Sequence, residues 1–183
     1  MTNGSLRLLV LAGVLVLIVA ALTGANRADA AEERVTLLEQ IDDLRNETWD
    51  WQRLMRVPLT PTSYEERHAG NAYREWVRHL WRARVERAET RAQDPPNERA
   101  WRCIHRYEAS RAGGWAARTG NGYYGGLQMS MPFQRALAPE LLQTKGTADN
   151  WTAIEQMWVA ERAIRRGYGF TPWPNTARAC GVL

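Results

Sequence analysis

The chain is poor in metal ligands. It has two cysteines, Cys103 and Cys180, and three histidines, His68, His79 and His105. No C-x-x-C pair occurs and the histidines show no ligand spacing among themselves, so a metal site is not expected, nor is a cofactor. Internal repeats are absent, and so is low-complexity sequence outside one N-terminal apolar run. With 183 residues, 45% of them hydrophobic and 24% charged, the composition excludes a disordered chain and suits one compact domain plus something smaller. A last scarcity is local. From Ala109 to Pro139 there is no Asp or Glu at all.

What is present begins with Arg7 and the apolar run "LLVLAGVLVLIVAAL", residues 8–22, followed by "ADA" at 28–30. Small residues at the two positions that a signal peptidase reads predict cleavage after Ala30, with 1–30 as signal peptide. Left uncleaved, residues 8–24 come near the minimum spanning length and are an N-terminal anchor, the one way in which a membrane becomes a partner. Export changes the reading of the cysteines, because outside the cytoplasm two thiols tend to become a bridge. Cys103 and Cys180 are then one disulfide, and the protein is secreted or associated with the cell wall.

The formal charge of +4 is uneven. Residues 98–183 carry eleven Lys or Arg against six Asp or Glu, while 31–97 carry eleven against thirteen. For an exported chain a basic C-terminal part suits an anionic cell envelope better than nucleic acid, which is not expected as a partner. The oligomeric state is not legible.

Leu37, Ile41, Leu44, Thr48, Trp51 and Met55 recur at alternating spacings of four and three, the stripe of a helix with one buried face. After "VPLTPTS", 57–63, Ser63 caps a second helix over roughly 64–92, whose Tyr73, Trp76, Val77, Leu80 and Trp81 face the first. The loop looks short, so residues 31–92 are expected to form an antiparallel helical hairpin, with Trp49, Trp51, Trp76 and Trp81 in its core rather than on a sugar-stacking surface. "QDPPN", 93–97, is the linker, and Asn97 the cap of the next helix, which ends near Glu108 before Gly113 and Gly114. "TGNGYYGGLQMS" then reads as a short β-hairpin or a glycine-rich loop, and a further helix runs from about Asn150 to Arg166 with Asp149 or Asn150 as cap. The fold class is mainly α (α+β).

Glu108 is the residue of chemical interest. Breaking a glycosidic bond needs an acid for the leaving oxygen, and an apolar surround lets a carboxyl serve near neutral pH. Trp101, Tyr107, Trp115, Tyr123, Tyr124 and Trp173 are candidate walls for such a site. Against this, a glutamate with Arg106 and Arg111 close by is ordinarily an exposed, paired side chain.

The segment from Trp101 to the C-terminus resembles the resuscitation-promoting factors of actinobacteria, exported muralytic proteins with a small lysozyme-like domain related in fold to lytic transglycosylases. Trp115 and Thr119 to Gln128 match the family's W-x-x-x-T-G-N-G-Y-Y-G-G-L-Q in residue and spacing. "EQMWVAER", 155–162, matches an E-Q-x-x-V-A-E-R run, and "GYGFTPWP", 167–174, a G-W-G-x-W-P ending. The resemblance implies a lysozyme-like transglycosylase domain over 98–183, with Glu108 as catalytic acid and peptidoglycan glycan strands as partner. Thr119, Tyr124, Gln128 and Trp115 are the residues it places in the substrate cleft.

Departures from the family pattern are specific. From Glu to Trp the family has five positions and this chain seven, and the residues after Gln128 differ. The family's cysteines immediately precede the glutamate and follow the W-P tryptophan by three. Here Cys103 lies four residues earlier and Cys180 four later, about one helical turn in each case.

The sequence therefore favours an exported peptidoglycan-cleaving enzyme, a peptidoglycan glycosidase of the lytic transglycosylase type. The alternative is a non-catalytic peptidoglycan-binding or signalling module with the same fold. A DNA-binding helical protein would require that 8–22 not be an export signal.

Overall fold

The computed structural model describes residues 36–68 and 70–183. The expected leader or anchor, 1–30, lies outside them. Among the described residues no helix is long and apolar enough to cross a membrane.

Helix α1, Leu37–Met55, opens on a capping box: the Thr36 side chain accepts from the Glu39 amide, and the Glu39 carboxylate accepts from Thr36 N–H at 2.6 Å. A single turn, α2 (Tyr64–Arg67), is capped by Ser63 as expected. The chain then breaks at Gly70, and the long second helix, α3, spans Asn71–Ala92.

The two long helices are parallel, which corrects the expected antiparallel hairpin. Arg78 donates to Gln40 Oε1 at 3.1 Å, Ile41 packs with Val77 and Trp81, and fourteen residues further along both helices Met55 clusters with Ala92. The connection, 56–70, is no tight turn. It runs back beside α1, held where Trp49 Nε1 donates to the Thr60 carbonyl at 2.8 Å and Gln52 bonds both the Thr60 amide and its hydroxyl. Arg84 closes the return with two bonds to Glu66. Apolar stripes fix which faces meet but not their direction, and placing the second helix start at 64 made the loop look too short to return.

The core of the pair also differs in part. Trp81 is fully buried and meets Trp49 edge to face at 6.2 Å, but Tyr73 and Trp76 are exposed and stack on each other instead.

From Glu98 onward the fold is lysozyme-like and mainly α. Helices α4 (Glu98–Glu108), α5 (Met131–Leu137), α6 (Pro139–Lys145), α7 (Ala153–Arg165) and α8 (Pro174–Ala179) accompany one antiparallel pair, β1 (Tyr123–Tyr124) and β2 (Met129–Ser130). Helix α7 is the axis of this unit. Every residue from Gln156 to Ala163 is buried, as in a helix surrounded by other elements rather than lying on one. It is capped by Thr152 with Glu155 in a capping box, not by Asp149 or Asn150. Around it gather Trp101 and Ile104 of α4, Leu127, Met129, Leu137 and Trp173.

The helix pair is docked on this unit through the C-termini of both its helices. Arg162 donates to the Leu54 carbonyl at 3.0 Å and Arg165 to that of Met55 at 2.8 Å, while the Trp158 indole donates to the Ala92 carbonyl at 2.7 Å. The last carbonyls of a helix lack partners within it and carry its negative dipole end, so guanidinium groups suit them. Arg162 is itself buried, bonding the Leu137 carbonyl and Glu140; burial pushes its guanidinium below the ordinary value while Glu140 opposes the shift.

Candidate active site

Helix α4 is short and strongly two-sided. Trp101 and Ile104, three apart, are fully buried, while Arg102, Arg106 and Tyr107 face solvent. Glu108 is its last residue and half-buried. The end of α4 packs on α8 by two successive rungs. The Cys103–Cys180 disulfide, with Cα atoms 6.0 Å apart, is the first. The second is Thr176 Oγ1, which donates to Glu108 Oε1 at 2.8 Å. Since 103 pairs with 180 and 108 with 176, the two helices run antiparallel.

The bridge therefore forms in the shifted register, and one turn away the position where the family resemblance expects a cysteine holds the hydroxyl that meets the acid. Thr176 was missed as a site residue. The signal available for it was its place three residues after Trp173.

Beyond Glu108 the chain turns through Ala109, whose carbonyl accepts from Ala112 and Gly114, into a 3-10 turn at Gly114–Ala116 carrying Trp115. The hairpin that follows is held from behind by one buried side chain. Gln156 Oε1 accepts the Gly126 amide at 2.7 Å, and its Nε2 donates to the carbonyls of Trp115 and Trp151. Both glycines of the "GGLQ" turn are demanded by close approach. A Cβ on Gly125 would stand 2.5 Å from Gln156 Oε1, and one on Gly126 would stand 2.6 Å from both the His105 ring and the Trp115 ring. The His105 and Trp115 rings stack at 4.1 Å, with His105 Nδ1–H donating to the Gly126 carbonyl.

The four expected cleft residues are distributed around this hairpin. Tyr124 is half-buried on β1 and pairs with Met129. Gln128 adopts φ 48°, a left-handed conformation rare for its type, and its side-chain amide donates to the Gly125 carbonyl at 2.8 Å, completing the turn. Thr119 is exposed, and Trp115 is half-buried against His105. Of the six candidate walls, Trp101 and Trp173 belong to the core instead: both are buried, and their indole N–H groups bond Glu161 and the Leu127 carbonyl.

The other acids of this half are engaged elsewhere. Glu161 is buried and accepts from the Trp101 indole and from Asn97, whose side chain bonds it rather than capping α4. It therefore sits at the start of α4 and Glu108 at its end, about 16 Å apart along the axis. Glu98 pairs with Arg102, Glu140 with Arg162 and Glu155 with Lys145, and Asp149 accepts from the Thr147 hydroxyl.

The candidate site is thus a glutamate closing a short helix whose His105 bonds the glycine-rich hairpin. Residues 96–176 match the transglycosylase-like domain family. The relatives of this part of the chain are resuscitation-promoting factors. Over 78 residues it is 37% identical to resuscitation-promoting factor RpfE of Mycobacterium tuberculosis, a match covering 43% of this chain and 41% of that protein. Over 70 residues it is 39% identical to resuscitation-promoting factor Rpf1 of Corynebacterium glutamicum, covering 38% of this chain and 35% of the relative. The match thus spans well under half the length of these curated relatives.

Proposed function

We propose that the protein is an exported enzyme that cleaves the glycan strands of bacterial peptidoglycan, with Glu108 as its general acid and base. The observation that carries this reading is the contrast among the acids. Glu108 is half-buried at the end of the helix whose His105 bonds the glycine-rich hairpin, with one carboxylate oxygen on a neutral hydroxyl. Glu140 and Glu155 are instead paired with cations, and Glu161 is buried at the other end of that helix. Asp149, which also accepts from a hydroxyl, is the acid that the experiment below has to separate from Glu108.

A retaining glycosidase places a second carboxylate about 5 Å from the acid, and an inverting one a base about 6.5 to 9.5 Å away. With one carboxyl the economical route uses no water. Protonated Glu108 gives its proton to the glycosidic oxygen as the bond from that oxygen to the anomeric carbon breaks. The resulting carboxylate takes the proton of the C6 hydroxyl on the same muramic residue, whose oxygen bonds to the anomeric carbon. A 1,6-anhydro end forms, and Glu108 is again protonated. Thr119, Tyr124, Gln128 and Trp115 are proposed to line the cleft around this reaction.

Digestion of purified peptidoglycan, with products identified by mass, tests the reading. Wild type should release anhydro-muramic products, and Glu108→Gln should release none while keeping its fold. Only reducing muramic ends, or equal loss on replacing Asp149, would put a water-using hydrolase in its place.

A further inference from the structure

The bond between Thr176 and Glu108 is a contact between neighbouring helices, made one turn from a covalent bridge. Five residues separate Cys103 from Glu108 and four separate Thr176 from Cys180, so the disulfide and the hydrogen bond are adjacent rungs of one ladder. The Thr176 hydroxyl has a second acceptor near it, the Trp173 carbonyl at 3.4 Å, but Glu108 Oε1 at 2.8 Å is closer. A hydroxyl has one proton to give, and the carboxylate oxygen is the nearer of its two acceptors.

We propose that Thr176 is the positioning residue of Glu108, keeping the exchangeable proton of the carboxyl on Oε2 by donating its own to Oε1. The proposal rests on Glu108 being the acid of a glycan-cleaving site. In the neutral acid one oxygen carries the proton and the other only accepts. A donor at Oε1 makes that oxygen the acceptor, and a proton placed there would force the hydroxyl to turn to the Trp173 carbonyl, the longer of its two contacts. The acid proton therefore stands on Oε2, away from α8. Once it has left with the glycosidic oxygen, the bond to Oε1 becomes charge-assisted and stronger, so the carboxylate stays in the same plane while Oε2 collects the next proton. Thr176 itself touches no reacting atom. The disulfide holds α8 against α4, so the donor is in place before substrate arrives and no order has to be created during the reaction.

Initial rates of the full chain on solubilised peptidoglycan strands, measured against substrate concentration, test this with wild type, Glu108→Gln, Thr176→Val, Thr176→Ala and Thr176→Ser. Thermal melting and thiol counts confirm that each variant is folded and bridged. Valine keeps the volume of threonine and removes the donor, while alanine removes the donor without demanding that the extra methyl be accommodated. Either should lower kcat about tenfold to a hundredfold with the half-saturating concentration unchanged, and serine should restore kcat to within about threefold of wild type. Wild-type kcat in a folded valine or alanine variant overturns the proposal. So does an effect confined to the half-saturating concentration, or a serine variant as impaired as valine, which would show that the hydroxyl donor is not what sets the rate. If wild type cleaves nothing or Glu108→Gln cleaves normally, the reading of Glu108 itself fails. That outcome is seen before any Thr176 variant is compared, and it takes this proposal with it.

Discussion

Glu161 on α7 closes the start of α4 by accepting the indole N–H of Trp101 at 2.6 Å. The same carboxylate accepts the Asn97 backbone amide at 3.0 Å and its side-chain amide at 3.2 Å, so an anion lies at the positive end of the helix that ends in Glu108. Glu161→Ala would leave these donors without a partner in the interior. A loss of about 3 to 5 kcal/mol is expected from the midpoint of denaturant unfolding. Turnover per folded molecule should be nearly unchanged, and a loss of turnover like that of Glu108→Gln would give Glu161 a chemical role instead.

Gly126 is pressed against both His105 and Trp115, where an added Cβ would stand 2.6 Å from each ring. Since the two rings stack on each other, neither can withdraw without breaking that contact. Gly126→Ala should cost about 1 to 3 kcal/mol by overpacking. Equilibrium unfolding measures this, and a variant as stable as wild type would show that the rings can separate freely.

The disulfide closes a loop between residues 77 apart in sequence. On the chain-entropy model such a closure is worth about 4.5 kcal/mol. Intact-mass analysis of the native protein should show no free thiol, and Cys103→Ser with Cys180→Ser should shift the unfolding midpoint accordingly. Two alkylatable thiols in the native protein would contradict the bridge.

Trp158 joins the helix pair to the lysozyme-like unit, donating to the Ala92 carbonyl while packing with Leu54 and Met55. Trp158→Ala removes a large buried side chain and should cost about 3 to 5 kcal/mol. A chain starting at residue 93 should melt lower than the full chain, because it also takes the Leu54 and Met55 carbonyls from Arg162 and Arg165. Equal melting temperatures would mean that the pair is an independent spacer.

Local pattern made much of this protein legible without coordinates. The stripe from Leu37 to Met55 is set by side-chain period alone, and the helix ending at Glu108 by its buried Trp101 and Ile104. The run from Trp115 to Gln128 carries glycines that the turn cannot replace, and two cysteines among the described residues leave one pairing. Each of these depends on residues close in sequence, or on a count so small that it leaves no choice.

Tertiary structure decided the rest, because the deciding partners are far apart in the chain. Helices α1 and α3 could meet on the same faces in either direction, and the bonds of Trp49 and Gln52 to Thr60 make the connection return and the helices parallel. Asn97 was an ordinary helix cap in sequence, but a carboxylate 64 residues later outcompetes its own helix for the side chain. Glu108 and Glu161 are both glutamates on helices beside arginines. One is buried with Trp101 and Asn97 as donors and the other is half-buried beside Thr176, and that difference of surroundings, absent from either residue's own neighbourhood in sequence, separates a structural acid from the candidate catalytic one.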